Sequence, residues 1–591
     1  MGNRLYNRPH FRSCVFLLLL GTLVYGNHLK NPFQFDTVGY VVNDNRLGNI
    51  NEQLSISYLL EDFFHRSLLQ ISIAFNANLD GFNTFSYHLI NLLLHLINSL
   101  LVYFITCRAW CYLKLVDNKS IETEIRFVSL FTGILFLLHP IQTESVVYIM
   151  SRSEVFAGTF YLSSFLLFQV YLAKDTPSKI GYKVLVFFVI SIIFILGFSV
   201  KQTLITLPFM LLLYFIFGQK SGSVFILWLK RYKWEIGFIA LAGIAILFHK
   251  LLTDESFLIG PSSAGDDIGR LNYMRTQPSV ILFYYLKLLV FPINLNIDPD
   301  ILLLTDWWSW NFFISLLGIV GLIYFFYQFK EKRLLLYFIF WFLIVLSPSS
   351  SIITLADLAA EHRTYLASYS YYAIVSLCVY KLSHLVYSDN FKKGKNLALL
   401  VCIFISIIFS ILTIKRNQIW ASEVSLWADT LKKSPQKVRP VINLAYAYTV
   451  PGTFDLAVEY YEKALALNPN IFATNYNLGS LYIKRGREED GLRLLKMAAL
   501  IRPKKAEVHG LLGETYLKRK QIEQAEFHLK KAVEFKTDYA IAMKNLGIVY
   551  YFHFQKPEKA AVFFSRALSV DPNLKDANNI QTLLKLIKNK K

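Results

Sequence analysis

Two hydrophobic periods divide the chain. Up to residue 414, apolar runs of about 15 to 22 residues recur, close to the ~20 residues that cross ~30 Å of hydrocarbon as a helix. They predict crossings at 13–26, 86–106, 127–139, 154–173, 183–199, 203–218, 235–251, 309–328, 334–354, 366–384 and 396–414. From residue 415 the period becomes 34 residues, that of tetratricopeptide helix pairs. Gly479, Gly513 and Gly547 are in phase with Ala445, and two further series follow, Ala457, Gly491, Ala525 and Ala464, Ala498, Ala532. Small residues belong where paired helices approach closely, and Pro435, Pro469 and Pro503 end each second helix at one phase. The last repeat, with Ala560 and Ala567, is displaced by one residue. WASEVSLWADTLKKSP fits as a leading half repeat and LKDANNIQTLLKLIKNKK as a polar closing helix. The fold class is all-α: a polytopic membrane domain of about eleven spans over 1–414, then an α-solenoid of about four repeats over 415–591.

Composition agrees with the membrane assignment, since 54% of the 591 residues are hydrophobic and only 17% are charged. The five cysteines lie in or beside apolar runs and build neither a disulfide framework nor a zinc spacing. Lys and Arg clusters at Arg4, Arg8 and Arg12, at 108–126, 174–183, 219–233, 330–333 and 392–395 mark the cytoplasmic loops. All of them fit if PSVILFYYLKLLVFP at 278–292, bracketed by prolines, dips and returns, which places the repeats on the outer side. Of the net charge of +20, about +13 belongs to residues 415–591. Without a nucleic-acid-binding signature, that basicity points to anionic lipid or glycan rather than nucleic acid.

Six polar clusters then fall on outer loops or helix ends. They hold Asp36 in NPFQFDTVGY; Arg66, His88, Asn91, His95 and Asn98 around one apolar helix; His139, Glu144, Arg152 and Glu154; Lys201 in a two-residue turn; Lys287, Asp298 and Asp300; and Asp357, Glu361, His362 and Arg363. The spacing of His88, Asn91, His95 and Asn98 puts them on one helical stripe, suited to interhelical hydrogen bonds. Alone, each cluster also reads as a solvated helix end. Together, Arg66, Arg152, Lys201, His362 and Arg363 could hold a lipid-linked phosphate at the membrane face, where charge-assisted bonds gain from a low dielectric.

The order FDTVGYVVND, LHPIQTESVVYIMSRSE, GFSVKQTLITLP, AEHRTYLAS and RNQIWASEVSLWADTL, followed by the repeats, resembles the transmembrane and tetratricopeptide repeat-containing (TMTC) family and its bacterial relatives over almost the whole chain. That resemblance implies a GT-C glycosyltransferase fold related to protein O-mannosyltransferases. It implies inverting transfer of a hexose such as mannose from a polyprenyl phosphate to Ser or Thr hydroxyls of a protein held by the repeats. On it, Asp36 is the base, and Arg152, Lys201 and Arg363 hold the donor phosphate. Glu361 orients Arg363, and Arg66, His139, Glu144 and His362 support the site; no metal or other cofactor is required. The chain departs from the family pattern at Thr37, where a second acid stands in the family. The competing expectations are a non-catalytic membrane scaffold and a lipid-glycan flippase. The compartment expected is a bacterial inner membrane with periplasmic repeats, or alternatively the endoplasmic reticulum with lumenal repeats.

Overall fold

The computed structural model describes residues 9–35, 37, 39, 41, 66–114, 119–173, 180–219, 268–351 and 353–589. Asp36, the crossing expected at 235–251 and the basic positions Lys220, Lys230, Arg231 and Lys233 lie outside them. The described residues contain helices and no strand, in two compact units, Met1–Ser434 and Pro435–Lys591.

The first unit runs α1 (Pro9–Tyr25), α2 (Ser67–Asp80), α3 (Thr84–Lys114), α4 (Lys119–Leu138), α5 (Thr143–Val147), α6 (Arg152–Leu172), α7 (Ile180–Phe198) and α8 (Leu207–Phe217). It continues with α9 (Arg270–Ser279), α10 (Lys287–Val290), α11 (Trp310–Tyr327), α12 (Lys332–Leu346), α13 (Ser368–Val386), α14 (Phe391–Ile419) and α15 (Glu423–Lys433). Six of the described helices are long and apolar enough to cross a bilayer, or seven if the bent pair around Pro140 is one span. α3, α6 and α12 bury half or more of their apolar windows inside the unit, whereas α7, α11 and α14 bury less than a fifth. The first three form the packed centre, and the other three offer apolar faces suited to lipid.

The stripe on α3 works as its spacing implied. His88 Nε2 meets the Asn31 carbonyl at 3.0 Å, Asn91 Nδ2 donates to the Val146 carbonyl and Asn98 Nδ2 to that of Val155. His95 lies between the Leu137 carbonyl and the Tyr365 hydroxyl. Four side chains thus tie α3 to the first loop, α4, α5, α6 and the rim after α12.

Two breaks position the rim. Pro140 holds His139 extended (φ −64°, ψ 127°), and the chain bends by 49° between α4 and the turn leading into α5. The segment expected to dip at 278–292 is helical through Val290: α9, with Pro278 inside it, passes through a π turn (Val280–Leu286) into α10. The missing proline N–H loosens the ladder where the wider turn begins. The chain leaves the helix at Phe291, just before Pro292.

The second unit pairs α16 (Val438–Ala447) with α17 (Phe454–Leu467), α18 (Phe472–Lys484) with α19 (Glu488–Ile501), α20 (Ala506–Lys518) with α21 (Ile522–Phe535), and α22 (Ala540–Ile548) with α23 (Pro557–Val570). α24 (Ala577–Asn589) follows, with Ile580 and Ile587 buried. The small residues sit where expected. A Cβ on Gly491 would lie 2.8 Å from the Gly479 carbonyl oxygen, and one on Gly513 would lie 2.6 Å from Leu529 Cγ. The one-residue displacement of the last repeat is absorbed by a π turn at Val549–His553, the usual way a helix accommodates an insertion.

Candidate active site

Arg152 opens α6 and is fully buried. Its Nε donates to Asn91 Oδ1 (2.8 Å), its Nη1 to the Ser72 carbonyl (2.8 Å) and Asn76 Oδ1 (2.7 Å), and its Nη2 to the Tyr87 carbonyl (3.0 Å). Every guanidinium nitrogen is spent on neutral acceptors from α2 and α3. This corrects the expectation that Arg152 holds a donor phosphate: it is a strut that fastens α2 to the centre. His139 is likewise turned inward, its Nδ1 accepting the Ile141 N–H and its Nε2 meeting the Leu289 carbonyl at 3.0 Å.

The other expected cations do converge. The 3-10 turn Glu361–Thr364 lies across α5 and the turn Pro140–Gln142 that leads into it. His362 Nδ1 is 2.6 Å from Glu144 Oε1, and its backbone N–H donates to Glu144 Oε2 at 3.3 Å. Its Nε2 faces Glu154 Oε1 at 3.9 Å, and Lys201 Nζ pairs with that same oxygen. Arg363 donates to the Tyr273 hydroxyl (3.3 Å) and to the Asp357 carbonyl (2.9 Å). Arg66, exposed and in the left-handed region (φ 66°), begins α2 and acts electrostatically on Lys201, as does Arg363. Burial holds the Lys201 ammonium below its usual value, against the pull of Glu154, and burial likewise pushes the His362 imidazole down to about 3. Four basic side chains from three separate segments therefore gather with three carboxylates, Glu144, Glu154 and Asp357, in one partly open cluster.

The expectation that Glu361 orients Arg363 is corrected: Glu361 turns to other partners. It is fully buried, accepts the Asn296 N–H and lies 3.7 Å from Arg416 Nη2. Arg416 Nη1 donates to Asp429 Oδ2 at 3.0 Å, and Lys433 donates to the same oxygen at 2.6 Å and to the Leu295 carbonyl at 2.7 Å. The residue before His362 thus anchors the rim to the end of α14 and to α15. Neither Arg416 nor the pairing of Glu154 with Lys201 was singled out from the sequence; the only sequence signal was an arginine ending an apolar run in RNQIW.

Asp36 lies outside the described residues; the residues beside it in the sequence are described in part. Thr37 is fully buried, Gln34 donates to the Trp420 carbonyl, and Phe35, with φ 55°, packs on Tyr148 and Trp427. A small cavity between Gln34, Thr37, His88, Tyr148 and Trp420 lies beneath this loop.

The fold and this cluster define a multi-pass membrane protein that carries a tetratricopeptide solenoid and a charged rim beside its packed centre. Tetratricopeptide repeat family models match residues 451–514 and 506–539. Over most of its length the chain is similar to proteins named TMTC O-mannosyl-transferases. It is 21% identical to mouse (Mus musculus) "Protein O-mannosyl-transferase TMTC3" over 96% of this chain and 65% of that protein. It is 25% identical to human (Homo sapiens) "Protein O-mannosyl-transferase TMTC1" over 78% and 55%, and 24% identical to Caenorhabditis elegans "Protein O-mannosyl-transferase F38B6.6" over 78% and 63%. The chain therefore spans less than two thirds of the length of these relatives. Among solved structures, MamA matches at 21% identity and TM-score 0.23, over 26% of this chain and 83% of that one. YrrB, titled a tetratricopeptide protein with an unusual peptide-binding site, matches at 19% and 0.26, over 28% and 85%.

Proposed function

We propose that the protein is an integral-membrane glycosyltransferase that moves a hexose such as mannose from a polyprenyl phosphate to Ser or Thr hydroxyls of a protein, with inversion. The carrying observation is the meeting of Arg66, Lys201, His362 and Arg363 at one rim, in a chain similar to proteins named O-mannosyl-transferases. In this reading the acceptor oxygen bonds to the sugar C1 as the bond from C1 to the phosphate oxygen breaks. Asp36 takes the hydroxyl proton, and the phosphate leaves with the electron pair toward Lys201 and Arg363, which hold it by charge-assisted bonds. The repeats present the acceptor. The Lys and Arg asymmetry supports a non-cytoplasmic side for rim and repeats, in a bacterial inner membrane or in the endoplasmic reticulum.

The test is release of polyprenyl phosphate from labelled polyprenyl-phosphate hexoses by purified protein, with a Ser/Thr-rich peptide pool as acceptor. Acceptor-dependent release, lost in Asp36→Asn and sharply reduced in Lys201→Gln, supports the transferase. A folded wild type that releases nothing with any donor sinks it and leaves a scaffold.

A further inference from the structure

Glu144 grips His362 twice, through Nδ1 and through the backbone N–H. A carboxylate at Nδ1 fixes the proton there, so the neutral imidazole presents a bare lone pair at Nε2. Among the described residues that atom faces Glu154 Oε1 at 3.9 Å, beyond hydrogen-bond range, and Glu154 is already engaged by Lys201. The side chains of Glu144 and Glu154 are 3% and 7% exposed, that of His362 26%. The imidazole is thus the more open member of this group.

The charges facing it are Glu144 on α5, Glu154 on α6, Lys201 ahead of α8, and Arg363 and Asp357 on its own rim, with Arg66 acting through Lys201; burial raises the Glu144 carboxyl itself to about 7, against Arg416 of α14 and Arg363. Burial, Lys201 and Arg363 oppose a second proton, whereas Glu154 and Asp357 favour it. An anion seated against Lys201 and Arg363 cancels the opposition of both cations at once. With Glu144 already compensating the far edge of the ring, a protonated Nε2 would then be a charged donor aimed at the anion.

We propose that His362, held by Glu144, takes up one proton when a phosphate enters beside Lys201 and Arg363, and becomes a third cationic ligand of that phosphate. This rests on the lipid-phosphate reading above and adds the protonation state of its site. The only bond change is a proton transfer: an N–H bond forms at Nε2 as an O–H bond of hydronium breaks, and the proton there opposes the charge that builds on the phosphate as the sugar leaves. Because the bound state holds the extra proton, affinity rises as pH falls through the bound-state pKa of His362, approaching tenfold per pH unit inside the window between the free and bound values.

The experiment is calorimetric titration of the full-length protein in detergent with a polyprenyl-phosphate hexose, a diester whose single negative charge is constant from about pH 5 to 8. Two buffers of different ionisation enthalpy count the protons. The expected result is an uptake approaching one proton near pH 6, affinity at least about threefold higher at pH 5.5 than at 7.5, and loss of both in His362→Gln with binding retained. Glu144→Gln should reduce the uptake. Binding that is independent of pH and takes up no proton, yet is weakened by Lys201→Gln, overturns the coupling and leaves the lipid-phosphate site standing. No binding at either pH, in a folded wild type, overturns both. Should His362→Gln fail to fold, His362→Asn takes its place, because burial raises the neighbouring Glu144 carboxyl to about 7 and a proton count that persists without the imidazole assigns the uptake to Glu144 and overturns the proposal.

Discussion

Arg152 and Lys201 look alike in the sequence, each a cation beside an apolar run, and the structure gives them opposite tasks. The acceptors that consume Arg152 sit 61 to 80 residues away, on α2 and α3, so only tertiary packing could separate a strut from a ligand. Arg152→Met strands several buried acceptors at about 1–3 kcal/mol each. It should therefore lower the thermal midpoint in detergent by many degrees, and by more than Lys201→Gln, which leaves one partly exposed pair with Glu154 reduced to an amide contact and in addition loses donor binding; equal melting of the two would refute the distinction. Glu361 supplies a pH test. Burial raises its carboxyl above the ordinary range although Arg416 opposes this. An acid raised on folding binds its proton more tightly in the native state, so its contribution is full at low pH and is lost as pH rises through the native value. Glu361→Gln keeps an acceptor for the Asn296 N–H and leaves Arg416 its Asp429 partner. Stability of this variant should accordingly fall less between pH 6 and 9 than that of the wild type, measured by melting in detergent.

Helix pairs are local objects, which is why the small-residue series and the proline phase of the solenoid were legible while the cation cluster was only partly so. One feature of the repeats escaped the periodicity. The turns within each pair hold a residue of positive φ at Gly452, Gly486, Lys520 and Gln555, and the last is one position late because of the π turn at Val549–His553. The sequence meets this left-handed requirement with glycine only twice. Lys520→Gly should raise stability by about 0.5–1 kcal/mol, since relief of the Cβ clash exceeds the added freedom of the unfolded chain. Gly513→Val acts in the opposite sense: its Cβ would stand 2.6 Å from Leu529 Cγ and 3.1 Å from Leu529 N, forcing α20 from α21 at a cost of about 1–3 kcal/mol. Urea melts of the solenoid should order the three as Lys520→Gly, wild type, Gly513→Val, and any other order contradicts the packing account. In the membrane unit, Pro278 and Pro292 read as brackets of a dip, but a proline can be carried inside a helix that widens into a π turn, and sequence alone does not tell these apart.

At the scale of the whole molecule the sequence drew its boundary where the apolar runs stop, at 414, and counted WASEVSLWADTLKKSP as a leading half repeat by phase. The compact units divide at 434 instead, and the side chains of α15 give the reason. Asp429 and Lys433 bind Arg416 and the Leu295 carbonyl, and Ser434 joins Asn296 to the Asp298 carbonyl. Trp427, buried, packs against Phe35 of the first loop. Repeat phase and tertiary allegiance are separate properties: a helix can keep the spacing of a solenoid while its polar groups are satisfied elsewhere. The two apolar clusters described in the second unit lie within residues 442–587, so residues 435–591 should fold alone as a soluble helical domain with one cooperative melt. Residues 415–591 carry the same core plus Trp420 and Trp427, which pack on Tyr148 and Phe35 of the first unit. Released from it, those side chains add exposed apolar surface without adding partners. The longer fragment should then melt no higher than the shorter one and self-associate more, as read by circular dichroism and size-exclusion chromatography. A longer fragment that is monodisperse and melts higher would return α15 to the solenoid, as its phase suggested, and would make its bonds to Arg416 and Asn296 secondary.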